Sequence, residues 1–179
     1  NLNSNIVKDN SFIKVNENSE QTYNQVDKVE FIDLNNDGEP ELVTSESKDN
    51  NRSIRVYKIS LTPNLQQNCG LIYQFKIPLN YATALSKTLY AFKDLNNDNL
   101  PELVYWDNEV TLKIHPNNSR EGILDSNLFS NSFNLSVAYP VYMYEPDYQL
   151  LFADLDADKR VDIMVKSKQE SISVIKNKY

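Results

Sequence analysis

The chain has 179 residues, of which 40% are hydrophobic and 24% are charged, and its formal net charge is −7. This length suffices for one domain with its own core, and the composition is near the globular average, so neither a wholly disordered nor a membrane-embedded chain is expected. Nucleic-acid binding needs clustered Lys and Arg, and a membrane-spanning helix needs about 18 consecutive apolar residues. The acidic balance and the short apolar runs therefore predict no nucleic-acid partner and no membrane insertion.

The first 25 residues are dense in Asn, Ser and Glu and contain one candidate strand, at residues 11–15. This stretch fits a closing edge strand and a partly ordered polar leader equally well, because it holds few apolar residues. The chain begins without Met and without the apolar core of a signal peptide, so we expect it to be processed or truncated. We assign residues 1–25 to a polar leader and residues 26–179 to a single domain.

The domain contains three copies of one pattern, in which a short apolar strand leads into an acidic loop. The loops begin at Asp33, Asp94 and Asp154, so the repeat has a period of about 60 residues. A regular period of this length predicts a fold built from repeated units. The units cover about residues 26–86, 87–147 and 148–179.

Strand-like segments rich in β-branched and aromatic residues follow each loop. They are residues 53–60 and 71–77 in the first unit, 110–116 and 136–144 in the second, and 171–177 in the third. With the strands that flank each loop, this gives about four short strands per unit, which matches a β-propeller blade, and a closed propeller typically has about four to eight blades. The sequence therefore predicts an all-β fold of propeller-type blades. It is expected to be a partial propeller, a fragment of a larger one, or one that other chains complete.

Each acidic loop carries oxygen-bearing side chains at positions 1, 3, 5 and 9, counted from its first Asp. These residues are Asp33, Asn35, Asp37 and Glu41 in the first loop, Asp94, Asn96, Asp98 and Glu102 in the second, and Asp154, Asp156, Asp158 and Asp162 in the third. Calcium takes about six to eight oxygen ligands, which such a loop could supply together with one backbone carbonyl and water. A turn this tight needs a positive φ at position 6, which Gly38 adopts freely, Asn99 at modest cost and Lys159 less well. The loops therefore predict calcium sites.

Two other interpretations of the loops are weighed on the same residues. Asn, Asp and Gly dominate turns for backbone reasons alone, so a polar turn without metal is the simple alternative for any one loop. An EF-hand loop also begins D-x-N-x-D-G, but it lies between helices and has a bidentate Glu at position 12, where this chain has Thr44, Tyr105 or Val165. Lys159 and Arg160 could offset the charge of the third loop without metal, so we expect this loop to be the least certain site.

The pattern D-x-[DN]-x-D-x-x-x-[DE]-[LI] after an apolar strand resembles the FG-GAP or VCBS repeats of integrin α-subunit propellers and related bacterial proteins. The resemblance covers most of residues 26–179 and implies calcium held by positions 1, 3, 5 and 9 and by the main-chain oxygen at position 7, which is Glu39, Leu100 or Arg160. Glu41 and Glu102 stand where the family more often has Asp, the Gly at position 6 is kept once, and no FG…GAP signature precedes the loops. The resemblance also implies a surface or secreted protein, so an extracellular, cell-surface or periplasmic location is expected.

Residues suited to nucleophilic catalysis are few: the chain has one His, His115, one Cys, Cys69, and no G-x-S-x-G motif. We expect no enzyme, although the many carboxylates could form a glycosidase-like pair in a pocket away from the loops. His115 is expected to end a strand, and Trp106, expected in a hairpin turn, is the first ligand-contact candidate if it is exposed. The expected function is a recognition or adhesion module that binds a protein or glycan and uses calcium structurally. The alternative is an accessory or scaffold domain of a larger enzyme, toxin or multi-subunit assembly.

Overall fold

A computed structural model describes residues 26–48, 51–61, 67–78, 90–108, 111–120, 122–124, 127–136, 149–166 and 172–178. Every helix or strand in this part of the chain is a β-strand, so the predicted all-β class is confirmed. None of the described residues forms a helix long and apolar enough to cross a bilayer. The leader predicted for residues 1–25, with its candidate strand, lies outside the described residues.

The described strands form three antiparallel sheets, and within each sheet the strands follow one another in chain order. The first sheet contains β1 (Val26–Ile32), β2 (Glu41–Lys48), β3 (Asn51–Leu61) and β4 (Gln67–Pro78). The second contains β5 (Tyr90–Lys93), β6 (Glu102–Asn108), β7 (Thr111–His115) and β8 (Phe133–Ser136). The third contains β9 (Gln149–Ala153), β10 (Asp162–Lys166) and β11 (Ile172–Ile175). Among these strands no sheet closes on itself.

The second sheet lies between the other two and buries apolar side chains on both of its faces. Successive side chains of a strand point to opposite faces, so Leu103 and Tyr105 of β6 join the first sheet while Val104 and Trp106 join the third. This explains why β6 is a continuous apolar run rather than an alternating one. The three sheets are therefore joined by two apolar clusters, one at each junction.

One local prediction in the second sheet is wrong. Trp106 lies within β6 rather than in a turn, and its side chain is buried in the cluster shared with the third sheet, so it is no surface ligand contact. The strand predicted at residues 136–144 lies, apart from its first residue, outside the described residues, and the described fourth strand of this sheet is β8. Phe133 pairs with Ile114 and Leu135 with Leu112, so apolar cross-strand pairs place β8 earlier in the chain. Residues 137–144 lie outside the described part of the structure.

Candidate metal sites in three acidic loops

Each acidic loop joins the first and second strands of its sheet. The loops follow β1, β5 and β9, and position 9 is in every case the first residue of the next strand. The strand-like flanks expected from the sequence are confirmed, and a helix-flanked EF-hand is excluded at these three places. All side chains predicted at positions 1, 3, 5 and 9 thus lie in or directly beside one hairpin turn per sheet.

The three loops are held by the same three hydrogen bonds from backbone N–H groups to loop carboxylates. Position 1 accepts a hydrogen bond from the N–H of position 6, at 2.8, 2.9 and 2.9 Å in the three loops. Position 5 accepts from the N–H of position 7, at 2.8 Å in each loop. Position 9 accepts from the N–H of position 2, at 2.9, 2.7 and 3.0 Å. The carboxylates therefore set one common loop conformation.

The backbone of each loop is in the left-handed region at two positions. The positive φ expected at position 6 is confirmed, at 84° for Gly38, 67° for Asn99 and 70° for Lys159. Position 4 also has a positive φ, between 56° and 62°, and the sequence analysis did not anticipate this. Asn tolerates this region better than most residues, so the repeated Asn-Asn pair in the first two loops was the available signal. The third loop has Ala and Lys at these positions and is the most strained.

The carboxylate at position 9 is buried in all three loops, which is costly for a charged group. Burial raises the pKa of Glu102 to about 7, and the nearby Asp98 and Asp94 raise it further against the opposing hydrogen bond from the Leu95 N–H. Burial also raises the pKa of Glu41, for which Asp37 and Asp33 are the nearby acids. Glu102 Oε1 is buried and has no hydrogen-bond partner among the described residues. A bound cation would supply the positive charge that these carboxylates lack.

Three carboxylates of the third loop come close enough to share a cation. Oxygen atoms of Asp154, Asp156 and Asp162 all lie within 4.8 Å of one another, and this is the one such acidic cluster among the described residues. Lys176 Nζ lies 3.0 Å from Asp156 Oδ2 and lowers the pKa of that carboxyl group by hydrogen bonding and charge. The cluster could therefore hold a cation, and one of its carboxylates is already paired to an ammonium group.

The charge compensation in the third loop differs from the expectation. Arg160 lies 3.9 Å from Asp158, at the outer limit of an ion pair, while the closer pair is made by Lys176. Lys176 follows β11, 20 residues along the chain from Asp156, so no local pattern connects them. Sequence reasoning considered only the lysine and arginine beside the carboxylates.

In the first two loops, the side-chain amide of the Asn at position 3 donates a hydrogen bond to the Asp carboxylate at position 5. Asn35 donates to Asp37 Oδ2 at 3.1 Å and Asn96 donates to Asp98 Oδ2 at 3.0 Å. The side-chain oxygen of each Asn accepts from the N–H of the same position 5, at 3.3 and 3.0 Å. Hydrogen bonds from the loop amides lower the pKa of Asp37, so it is readily ionised. The side-chain oxygens at positions 3 and 5 thus accept hydrogen bonds from groups of their own loop, and a cation would compete with these hydrogen bonds.

Position 7 contributes a backbone N–H to the loops. Glu39, Leu100 and Arg160 each donate this group to the carboxylate at position 5. The ligand role that the family resemblance implies for their carbonyl oxygens stays a prediction.

Two asparagines that the sequence analysis did not identify connect the loops of consecutive sheets. Asn117 donates its side-chain amide to Leu34 O at 2.8 Å and to Pro101 O at 3.1 Å. Asn177 makes the same pair of bonds one repeat later, to Leu95 O at 2.6 Å and Val161 O at 3.2 Å. Each amide therefore joins position 2 of one loop to position 8 of the next. We call this arrangement the asparagine clamp; its signal was the spacing of the two residues, which equals the repeat period of about 60.

His115 is part of the packed core rather than of an acidic loop. It ends β7, as expected, and its ring stacks on Tyr105 at 5.6 Å and meets Phe75 edge-on at 4.8 Å. Its Nδ1 lies 2.8 Å from Ser130 O, so this nitrogen carries the proton and donates it. Burial lowers the pKa of His115, so its neutral form is favoured.

No family model matches this chain, and no curated protein matches it. The functional proposal therefore rests on the residues of the acidic loops and of the junctions between the sheets.

Proposed function

We propose that the chain is a calcium-binding part of a β-propeller that acts as a recognition or adhesion module, with calcium in a structural role. The observation that carries the proposal is the repetition of one loop conformation in three sheets, each with carboxylate at positions 1, 5 and 9. The carboxylates of one loop repel one another, and a divalent cation with a preference for oxygen would offset that repulsion. Asp154, Asp156 and Asp162 of the third loop form the best site, because their oxygens already converge.

The propeller assignment is supported by the way the sheets repeat. Each described sheet is antiparallel with strands in chain order, consecutive sheets pack through one apolar cluster, and both junctions carry an asparagine clamp. Position 2 of the loops shows the direction of stacking: Leu34 and Leu95 are 0% and 6% exposed beneath the next sheet, whereas Leu155 is 47% exposed. A further sheet, from this or another chain, would cover Leu155 in a complete propeller.

The proposed recognition role rests on the rigidity of the exposed loops. Loops fixed by carboxylates, clamps and calcium give a rigid surface, and rigid scaffolds with exposed loops are typical of binding modules. The partner would be a protein or a glycan, with no catalysis by this chain. Calcium sites of extracellular modules are typically filled at about 10⁻⁴–10⁻³ M calcium, which fits an extracellular, cell-surface or periplasmic location.

Thermal unfolding tests the structural role of calcium. The chain is stripped with EDTA and then scanned with millimolar calcium, with magnesium at the same ionic strength, and with EDTA alone. Calcium that binds only the folded chain at about 100 times its dissociation constant adds about 2.7 kcal/mol, a shift of several degrees. Asp154→Asn should reduce that shift, while Asp107→Asn, a carboxylate outside the loops that pairs with Lys113 at 3.0 Å, should keep it. Equal melting temperatures in all three buffers would refute the proposal.

A scaffold role in a multi-subunit assembly is the second candidate function. Large apolar side chains are exposed on both outer sheets: Val29 and Phe31 on the first, and Ile172 and Val174 on the third. Such exposed apolar groups on terminal sheets favour contact with other subunits. The mass of the chain in solution decides this candidate, and a stable monomer at high concentration would speak against it.

A further inference from the structure

The asparagine clamps at the two junctions differ in one hydrogen bond, which involves the carboxylate at position 9. At the junction of the second and third sheets, the N–H of Asn177 donates to Asp162 Oδ1 at 2.8 Å. The other oxygen of Asp162 accepts from the N–H of Leu155 at 3.0 Å, so both oxygens of this buried carboxylate are held. Asn177 therefore contacts a proposed calcium ligand through its backbone, in addition to the two loops that its side chain joins.

At the junction of the first and second sheets, the corresponding hydrogen bond is not formed. Asn117 takes the place of Asn177 in this clamp. At position 9, Glu102 takes the place of Asp162. Glu102 Oε2 accepts from the Leu95 N–H at 2.7 Å, but Glu102 Oε1 is buried and has no hydrogen-bond partner among the described residues. This clamp therefore ends on backbone carbonyl groups and does not reach a loop carboxylate.

The additional hydrogen bond completes a continuous path between the carboxylates at position 9 of the second and third loops. Glu102 Oε2 accepts from the N–H of Leu95. The C=O of Leu95 accepts from the side-chain amide of Asn177 at 2.6 Å. The N–H of Asn177 then donates to Asp162 Oδ1. We call these three hydrogen bonds the interloop relay.

The second and third loops also touch directly at a second place. Asn97 Nδ2 donates to Lys159 O at 3.0 Å, which joins position 4 of the second loop to position 6 of the third. Both residues are in the left-handed region, with φ of 62° and 70°. Within the described part of the chain, the first and second loops share no such hydrogen bond. The second loop is thus more closely connected to the third loop than to the first.

The relay restricts the backbone between two proposed calcium ligands of the second loop. Leu95 lies between positions 1 and 3 of that loop, and the relay holds both its N–H and its C=O. At the other end of the relay, Asp162 belongs to the convergent acidic cluster of the third loop. A cation that holds Asp162 therefore also orders the part of the second loop that has to bind a cation.

We propose that the interloop relay couples the second and third loops, so that calcium in one raises the calcium affinity of the other, while the first loop binds calcium independently. This inference rests on the proposed calcium binding. Ordering a segment costs conformational entropy, and a ligand that binds an already ordered segment avoids part of that cost. Such coupling is reciprocal and typically changes affinity about 5- to 150-fold. We expect about fivefold, because a few hydrogen bonds carry the coupling and no sheet has to move.

Hydrogen exchange at position 2 reads the three loops separately in one sample. The N–H groups of Leu34, Leu95 and Leu155 each donate to the carboxylate at position 9 of their own loop. Asp33→Asn and Asp94→Asn are combined, so that the third loop alone keeps its full set of carboxylates. Exchange is measured by NMR in calcium and in EDTA at equal ionic strength. Stabilisation of the whole fold slows all three groups alike, so differences among them report local connections.

In this double variant, we expect calcium to slow exchange at Leu155, because the third loop binds it. Exchange at Leu95 should slow about fivefold more than exchange at Leu34, although both of these residues lie in disabled loops. No response at Leu155 would overturn calcium binding by the third loop and the coupling with it. A response at Leu155 with equal changes at Leu95 and Leu34 would overturn the coupling and leave the proposed function standing.

A substitution in the clamp tests whether the relay carries the coupling. Asn177→Ala, added to the double variant, removes the side-chain amide and keeps the backbone N–H. It should reduce the excess slowing at Leu95 to less than about twofold, while Leu155 still responds to calcium. Asn117→Ala removes the same group at the other junction and should leave the response of Leu95 unchanged. Excess slowing that survives Asn177→Ala would overturn the relay; if circular dichroism shows that this variant is unfolded, the comparison of Leu95 with Leu34 decides alone.

Discussion

The asparagine clamp allows an isosteric test of what joins consecutive repeats. Asn117 is buried, donates its amide to Leu34 O and Pro101 O, and accepts from Ser119 N–H at 2.8 Å through its side-chain oxygen. Asn117→Asp keeps the size and that acceptor, but it replaces the donor by an oxygen facing two carbonyl oxygens. The substitution therefore replaces two attractive hydrogen bonds by repulsion between oxygen atoms, and it leaves no cavity.

The expected loss follows from the two bonds that the substitution removes. Each hydrogen bond contributes about 1 kcal/mol, and a buried acceptor left without a partner costs about 1–3 kcal/mol. We expect Asn117→Asp to lower the free energy of unfolding by about 3–5 kcal/mol at pH 7, a large share of the roughly 5–15 kcal/mol typical of a domain. Burial and the two carbonyls disfavour the charged form of the new carboxyl group, so the loss should become smaller as the pH falls and that group takes up a proton.

Urea unfolding in EDTA measures this loss without any contribution from metal. The matched control is Asn134→Asp, which introduces the same charge at an exposed position of β8. We expect a lower midpoint with an unchanged m-value for the clamp variant and a change within about 0.5 kcal/mol for the control. Equal stability of the two variants would refute the role assigned to the clamp.

Three further substitutions test other parts of the same framework. Gly38 has a φ of 84° and an added Cβ would meet nothing within 4 Å, so Gly38→Ala should destabilise the fold by about 1 kcal/mol through backbone strain alone. Lys159 has a φ of 70°, so Lys159→Gly should stabilise the fold by a similar amount in EDTA. Opposite or zero shifts in the urea midpoint would contradict this. Burial lowers the pKa of His115 below its unfolded value of about 6.5, so the unfolded chain takes up the proton first and the stability from neutral His115 is lost as the pH falls below about 6.5. His115→Asn keeps a donor for Ser130 O but does not titrate. The difference in unfolding free energy between parent and variant should therefore be constant above pH 7, and below pH 6.5 it should shift against the parent by at most about 1.4 kcal/mol per pH unit. A difference that stays constant down to pH 5 would refute the claim that His115 is buried in its neutral form.

Local patterns were enough to predict the features that recur within each repeat. The alternation of apolar residues and the period of about 60 predicted strands on both sides of each acidic loop, and the structure has them. The left-handed backbone at position 6 was predictable because Gly38 and Asn99 are residues that tolerate it. These features depend on neighbours within a few residues, and such neighbours are visible in the sequence.

Features that depend on distant contacts were missed. Asn117 and its partner Leu34 are 83 residues apart, and Asn177 and Leu95 are 82 apart, so the repeat spacing could mark the two asparagines but could not identify their partners. Trp106 was placed in a turn because Asp and Asn follow it, although its contact with the third sheet keeps it in a strand. The chain has many Asn residues, so the sequence alone could not distinguish Asn117 and Asn177 from the others before their hydrogen-bond partners were known.

Calcium titration by calorimetry is the most direct test of the central claim that the acidic loops hold calcium. The EDTA-stripped chain is titrated with calcium beside its Asp162→Asn variant, which lacks one carboxylate of the convergent cluster of the third loop. We predict at least one calcium bound per chain, with clearly weaker or fewer sites in the variant. A folded chain that takes up no calcium at millimolar concentration would contradict the account and leave the loops as polar turns.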